Sequence, residues 1–419
     1  MNDFVDHAVL ASPHKSETKS ETKSETFDAT ALMDRLHELA PMLRAAARQV
    51  ESDGRIPEGH IAAVRATGFF DLVKPAAHGG SEEHFDTLVQ ANLILARYCA
   101  STAWVCGLLA AHQWLLAGFP AAAQDDVWGA DPNALMCGSY APAAKATVQT
   151  GGYRLSGNWS FASGCDVAQW AFCAAIVPSA ADPAVGEPAF LLVPASDYTI
   201  SNTWDVVGLA GTGSKTLVLD DIFVPAHRVL TFAQSTSGDT PGAKVYAETA
   251  GYRIPMLTMI PSCLASVAVG AAQGALDDYL EATGGRITRG AVAGAHQKMA
   301  EFPTIQLRVA DAAASTDAAQ EILLRDLRRV TDKAYAGSPV TQQDRILSRR
   351  GQAFAVSLAL RAAEALNAST GGLGLSMANP VQRAWRDANA VGRHISLNWD
   401  AVGSMYGQLA LGLPPKGQY

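Results

Sequence analysis

Apolar positions along this chain recur every three or four residues towards both ends and every second residue in between. Over residues 27–133 the longer period dominates. "ATALMDRLHELAPMLRAAARQVESDG" is amphipathic and closes on an Asp-Gly stop, "IPEGHIAAVRATG" opens a second helix, and "TLVQANLILARYCASTAWVCGLLAAHQWLLAG" reads as a third. Over residues 134–242 short β-type runs take over, among them "QWAFCAAIV", "PAFLLVPA" and "KTLVLDDIFVP". Gly151-Gly152 and Ser156-Gly157-Asn158 supply turns, so this stretch predicts an antiparallel β domain. Over residues 243–419 the helical period returns in long alanine-rich stretches and predicts a helical bundle. Residues 1–26 hold the polar repeat "SETKSETKSET", which has nothing to bury and reads as a disordered tail.

Bulk composition narrows the class. A chain of 419 residues, 48% hydrophobic and 17% charged, is too long for one core and fits two or three packed regions. The net charge is −8 with no dense Lys/Arg stripe, which argues against nucleic acid and anionic membrane as partners. Six cysteines are scattered without a CxxC pair, so they read as reduced thiols of a cytoplasmic protein and not as a metal site. No stretch reads as a membrane span, and no secretory signal pattern opens the chain.

"GLAGTGSK" (208–215) comes close to a phosphate-binding loop. Its last residues run Ser-Lys where Lys-Ser/Thr is needed, and it leads into a strand instead of a helix, so the NTPase reading fails. No GxGxxG follows a strand and opens a helix, which argues against a built-in nicotinamide-nucleotide domain.

Four segments in order, "GFFDLVKPAAHGG" (68–80), "GSKTLVLDDIFVPAHRVL" (213–230), "FPTIQLRVADAAAS" (302–315) and "GGLGLSMANPVQRAWRDA" (371–388), resemble the acyl-CoA dehydrogenase superfamily. Within it, "NWSFASGCDVAQWAFCA" (158–174) and "GRHISLNWD" (392–400) are similar to the oxygenase components of two-component flavin-dependent monooxygenases, the 4-hydroxyphenylacetate 3-hydroxylase group in particular. The resemblance implies a mainly α fold with an N-terminal helical domain, a middle β-barrel domain and a C-terminal four-helix bundle, assembled as a homotetramer. It also implies an oxygenase that takes diffusible reduced FMN or FAD from a separate NAD(P)H-dependent flavin reductase. With O2 this would form a C4a-hydroperoxide and hydroxylate or epoxidise an aromatic ring. Reduced flavin should then bind more tightly than oxidised flavin.

The same resemblance assigns residues. Dehydrogenases of the superfamily abstract a proton with a glutamate after the Arg-Asp-Ala helix; here Ile395 stands in that place, with His394 beside it. His394 is expected near the flavin and the substrate, accepting a hydrogen bond from a phenol or ring N–H and moving protons near neutral pH. Ser163 of "FASG" falls where a hydroxyl meets flavin N5, with Phe161 stacking on the ring and Gly164 completing the turn. His112, the one acidic or basic side chain in residues 101–123, matches a pocket histidine. Ser139 is expected at the flavin or substrate, with backbone contacts from Tyr140 and Ala141. Arg286 or Arg289 is expected to hold the flavin phosphate at a subunit interface, with Ser369, Gly371 and Gly372 supplying hydroxyl and amides.

Trp104, His112, Leu257 and His394 are assigned to the substrate. Hydroxylases of aromatic acids in this group carry an arginine where Leu257 stands, with Arg253 about a helical turn away, so the substrate is expected to be neutral, either indole or a hydrophobic phenol. Two other readings compete: an acyl-CoA dehydrogenase-type flavoenzyme oxidising a thioester, and a catalytically inert helical scaffold.

Overall fold

A computed structural model describes residues 27–179, 182, 185–288 and 296–419. The tail read over 1–26, and Arg289, lie outside the described residues.

Six helices come first: α1 (Ala29–Glu38), α2 (Ala40–Asp53), α3 (Glu58–Ala66), α4 (Phe85–Tyr98), α5 (Ala100–Leu116) and the short α6 (Ala121–Gln124). The first amphipathic run is two helices because Pro41 lies in the opening turn of α2, where its missing N–H costs nothing. Asp28 caps α1 by accepting from the Ala31 amide at 3.1 Å, and Gly54 ends α2 in the left-handed conformation. The long third run is also two helices. The backbone is extended at Cys99, and α5 folds back so closely that a Cβ on Gly107 would lie 2.6 Å from the Asn92 side chain. Every residue of α5 except Leu108 is buried, as expected of a helix apolar on all sides and enclosed by protein.

Eight strands follow: β1 (Met136–Ser139), β2 (Thr147–Gln149), β3 (Gly152–Ala162), β4 (Trp170–Pro178), β5 (Gly186–Pro194), β6 (Thr199–Ser201), β7 (Lys215–Pro225) and β8 (Val229–Thr231). They form two four-stranded sheets, ordered β1-β4-β5-β8 and β2-β3-β7-β6. The expected antiparallel pairing holds with one exception, since β1 and β4 run parallel. The chain leaves β1 for the other sheet and returns, and only a connection of that length permits a parallel neighbour.

Two short helices, α7 (Phe232–Ser237) and α8 (Pro241–Val245), lead to the bundle of α9 (Met256–Gly284), α10 (Pro303–Tyr335), α11 (Gln342–Ala368) and α12 (Pro380–Gly392), closed by α13 (Trp399–Ala410). A capping box of Thr341 and Asp344 starts α11, and Asn379 with Pro380 starts α12. The expectation that no run could span a membrane needs correction. Residues 254–276 carry no charge, and α9 is long and apolar enough to cross a bilayer. It is instead buried at the centre of the bundle, with α4 and α5 also against it.

Candidate active site

The helix α5 carries the two polar clusters of interest, around Trp104 and around His112. At 1.5 Å per residue they lie roughly 12 Å apart along its axis.

At the first, the Trp104 indole Nε1–H donates to Ser163 Oγ at 2.9 Å. Ser163 Oγ lies 2.7 Å from Ser214 Oγ, which lies 2.7 Å from Thr212 Oγ1, and Thr212 donates to the Leu209 carbonyl at 2.8 Å. All four side chains are buried. The turn that presents Ser163 is strained. Phe161 sits in the left-handed region at φ 65°, Gly164 at φ 76°, and the Ser163 amide donates back to the Phe161 carbonyl. Phe161 is nevertheless 70% exposed, touching only the edge of Trp204 among aromatic rings. A strained backbone that holds a large apolar ring out of the core is what a flat aromatic cofactor would complete.

At the second cluster His112 is fully enclosed. Its Nδ1 lies 2.6 Å from the Met136 carbonyl, and a carbonyl can only accept, so Nδ1 carries the proton and Nε2 is a bare acceptor. That Nε2 is buried with no partner among the described residues, and so is the hydroxyl of Tyr140, whose ring stacks on His112 at 5.7 Å. Phe172 packs edge-on against His112, and Phe190 against Tyr140. Burial pulls the His112 pKa down to about 4 against the weaker opposing pull of the Met136 hydrogen bond, so the ring is neutral at pH 7. Ser139 is not free to reach outward as a donor, because its hydroxyl donates to the Ser160 carbonyl at 2.7 Å and ties β1 to β3.

His394 joins the first cluster, its ring edge-on to Trp104 with centroids 5.8 Å apart. Its Nδ1 accepts from the Ser396 amide at 3.2 Å, which leaves the neutral ring with an Nε2–H donor. This reverses the expected role: the accepting nitrogen is already used, and what His394 can offer a ligand is a proton-bearing one. Burial, with Arg349 nearby, lowers its pKa to about 4. Arg349 is 3% exposed and donates to the Ser396 carbonyl and to Gln352, both at 2.7 Å, and no ion pair to it is found among the described residues. Arg349 and His394 thus hold the two successive peptide groups that flank Ser396, one by its carbonyl and the other by its amide.

Leu257 is buried at the start of α9. Arg253 points elsewhere, donating to the Ala247 carbonyl from an exposed position, so it brings no cation to Leu257. On the far side of the bundle Arg286 donates to the Thr370 carbonyl at 2.9 Å and Arg308 to Ser369 Oγ at 3.0 Å. Two cations and the Ser369-to-Gly372 turn therefore converge, with Gly371 and Gly372 exposed.

Sequence reasoning missed Ser214, Thr212, Arg308 and Arg349. Ser214 and Thr212 sit in the rejected phosphate-loop lookalike, and Arg308 lies in the quoted "FPTIQLRVADAAAS". Nothing distinguishes Arg349 from its neighbour Arg350 in sequence.

Residues 262–399 match the family described as acyl-CoA dehydrogenase, C-terminal domain. The chain is 62% identical to the FADH(2)-dependent resorcinol hydroxylase oxygenase component of Rhizobium sp. (strain MTP-10005), over 93% of this chain and 96% of that one. The crystal structure of 3-HSA hydroxylase from Rhodococcus sp. RHA1 superposes with a TM-score of 0.87 at 36% identity, covering 93% and 98% of the two chains. XiaF from Streptomyces sp., solved in complex with FADH2 and glycerol, superposes with a TM-score of 0.84 at 30% identity over 93% and 97%.

Proposed function

The chain belongs to the oxygenase components of flavin-dependent monooxygenases built on the acyl-CoA dehydrogenase fold, and from that premise we propose that it hydroxylates a small uncharged phenol, a dihydroxybenzene of the resorcinol kind. It is an enzyme that uses reduced flavin and O2. When bound, reduced flavin supplies the two electrons with which one oxygen atom enters the ring and the other leaves as water. A separate flavin reductase must deliver it.

The observation that carries the substrate reading is the pair of buried, unpartnered polar atoms on stacked rings, His112 Nε2 and the Tyr140 hydroxyl. Each costs on the order of 1–3 kcal/mol while unsatisfied, a cost that a ligand with two hydroxyls removes. His112 accepts the proton of the hydroxyl that activates the ring; its forced tautomer presents to the substrate the bare Nε2 that this role requires. Tyr140 holds the second hydroxyl. Leu257 and the outward-turned Arg253 leave the pocket without a cation for a carboxylate. Between the two neutral classes, a phenol answers an acceptor and a hydroxyl better than indole, whose ring N–H offers one donor and no acceptor.

For the cofactor, Phe161 covers the ring system and Ser163 meets N5, while Gly164 supplies the left-handed turn that packs against Val105 of α5. His394 contributes its Nε2–H beside Trp104, which is spent on Ser163 and so shapes the pocket through its ring alone. Arg286 and Arg308 hold phosphate with Ser369, Thr370 and the Gly371-Gly372 amides. Exposed Leu373, Leu375 and Ile395 near these elements support a subunit contact there and so a homotetramer. The thioester-oxidising alternative finds no support: Ile395, in the place of the dehydrogenase base, is an exposed apolar side chain, and two of the three relatives are named hydroxylases.

Single-turnover mixing of protein and reduced FAD with oxygenated resorcinol should give near-stoichiometric triol, whereas indole should give only hydrogen peroxide. Product from indole and none from resorcinol would overturn the reading. Tyr140→Phe should raise the resorcinol KM by about tenfold, the weight of one hydrogen bond, and leave that of a monohydric phenol unchanged.

A further inference from the structure

The hydroxyl chain behind Ser163 has a direction that its two ends impose. The Leu209 carbonyl can only accept and the Trp104 indole N–H can only donate. Because Thr212 Oγ1 lies 2.8 Å from the Leu209 carbonyl, its proton must point there; turned away, two oxygen lone pairs would face each other. Thr212 therefore accepts from Ser214, and Ser214, its own proton spent, accepts from Ser163. Ser163 donates inward to Ser214 and accepts from Trp104. One lone pair remains on Ser163 Oγ and no proton. The Leu209 end is itself held firmly: this leucine sits in the left-handed region at φ 54°, and the buried Asp387 of α12 accepts from its amide at 2.7 Å.

We propose that Ser214 and Thr212 are positioning residues that make Ser163 an obligate acceptor, and that this polarity is what lets the site prefer reduced over oxidised flavin. Reduced flavin carries a hydrogen on N5 and satisfies the lone pair of Ser163. Oxidised flavin presents a lone pair at N5, and lone pair then faces lone pair in a buried site. The two redox states are thus sorted by one hydrogen bond whose direction is decided three hydroxyls away. The inference rests on the placement of N5 at Ser163.

The test is equilibrium binding of FAD and, anaerobically, of reduced FAD to the intact protein. Ser214→Ala releases the Ser163 proton to face N5. Thr212→Val does the same from one link further away, because Ser214 can then turn and donate to Ser163. Both variants should bind oxidised FAD about tenfold more tightly, and the ratio of oxidised to reduced dissociation constants should narrow by at least that factor. The bound flavin's midpoint potential should fall accordingly, by about 30 mV for each tenfold. Thr212→Ser, which keeps the terminal hydroxyl, should restore the wild-type ratio. An unchanged ratio in both Ser214→Ala and Thr212→Val overturns the proposal. Ser163→Ala separates this from a failure of the placement itself: if it leaves reduced-FAD affinity untouched, N5 does not lie at Ser163; if it weakens that affinity while the other two variants keep the wild-type ratio, the placement stands and the polarity argument falls.

Discussion

At the Trp104 end of α5 each hydroxyl proton of the chain from Ser163 to Thr212 has an acceptor within the protein, whereas at the His112 end a buried imidazole nitrogen lacks a donor and a buried phenol hydroxyl lacks any partner among the described residues. The side chains of both clusters are buried, so the contrast is not one of burial. One end is a finished network with a single lone pair left over, which the proposed reading gives to the cofactor. The other is left incomplete at a cost in stability, which the proposed substrate would remove. The two histidines divide along the same line. The Met136 carbonyl makes His112 an acceptor, and the Ser396 amide makes His394 a donor, although both rings have their pKa lowered to about 4.

The contrast is broken most directly at His112. If it is the base, His112→Ala should lower the rate of hydroxylation by about 10²–10⁴-fold while reduced flavin still binds and still reacts with O2. Product and hydrogen peroxide per reduced flavin, measured in single turnover, give the answer. Normal coupling in this variant would make the unpartnered Nε2 a packing accident.

Much of this arrangement was legible in the chain. The runs of period two pointed to a central β region, whose strands lie between Met136 and Thr231, and Trp104, Ser163 and His394, assigned separately, meet within hydrogen-bond or ring contact. What could not be read was direction. Whether His394 gives or takes a hydrogen bond depends on the Ser396 amide two residues on, a fact of backbone torsion and not of residue type. Ser214 and Thr212 were hidden because glycine-rich turns look alike whether they cradle a phosphate or fold hydroxyls inward. The breaks at Leu39 and Cys99 were missed for different reasons. Pro41 was an available signal, while Cys99 has no breaking residue and gives way because α5 must fold back on α4.

The next effect is on folding. His112 takes up a proton only near pH 4 when folded, but near its ordinary 6.5 when unfolded. Between these values the unfolded chain binds more protons, so stability is complete above pH 6.5 and declines as pH falls towards 4. The contribution of this one ring is roughly 3 kcal/mol across that window, an upper figure for a wholly buried group. Asp387 acts in the opposite sense, because burial raises its pKa to about 6 and the folded state then holds the extra proton. Comparing urea midpoints of wild type and His112→Ala from pH 7 to 4.5 cancels Asp387. The variant should show the shallower pH dependence, and parallel curves would mean that His112 is not held neutral.

The smallest expected effect separates the histidines by cause. Burial alone lowers the pKa of His112, whereas His394 is lowered by burial and by the Arg349 guanidinium. Of the charged side chains on the helices around His394, Arg349 on α11 is the one whose charge lowers its pKa, and it donates to the carbonyl of Ser396, the residue whose amide His394 accepts from. Arg349→Gln keeps a donor for the Ser396 carbonyl and removes the charge. The imidazole of His394, followed by NMR through its Cε1 proton, should then titrate at higher pH, by about one unit, while His112 stays where it is. An unmoved His394 would mean that burial lowers both rings alike, and the buried arginine would then serve only to brace the turn. A shift at both would mean that the variant loosened the core, which the urea midpoint reports independently. Movement at His394 alone makes Arg349 the reason that this ring stays neutral at acidic pH and keeps Nδ1 free to accept from the Ser396 amide.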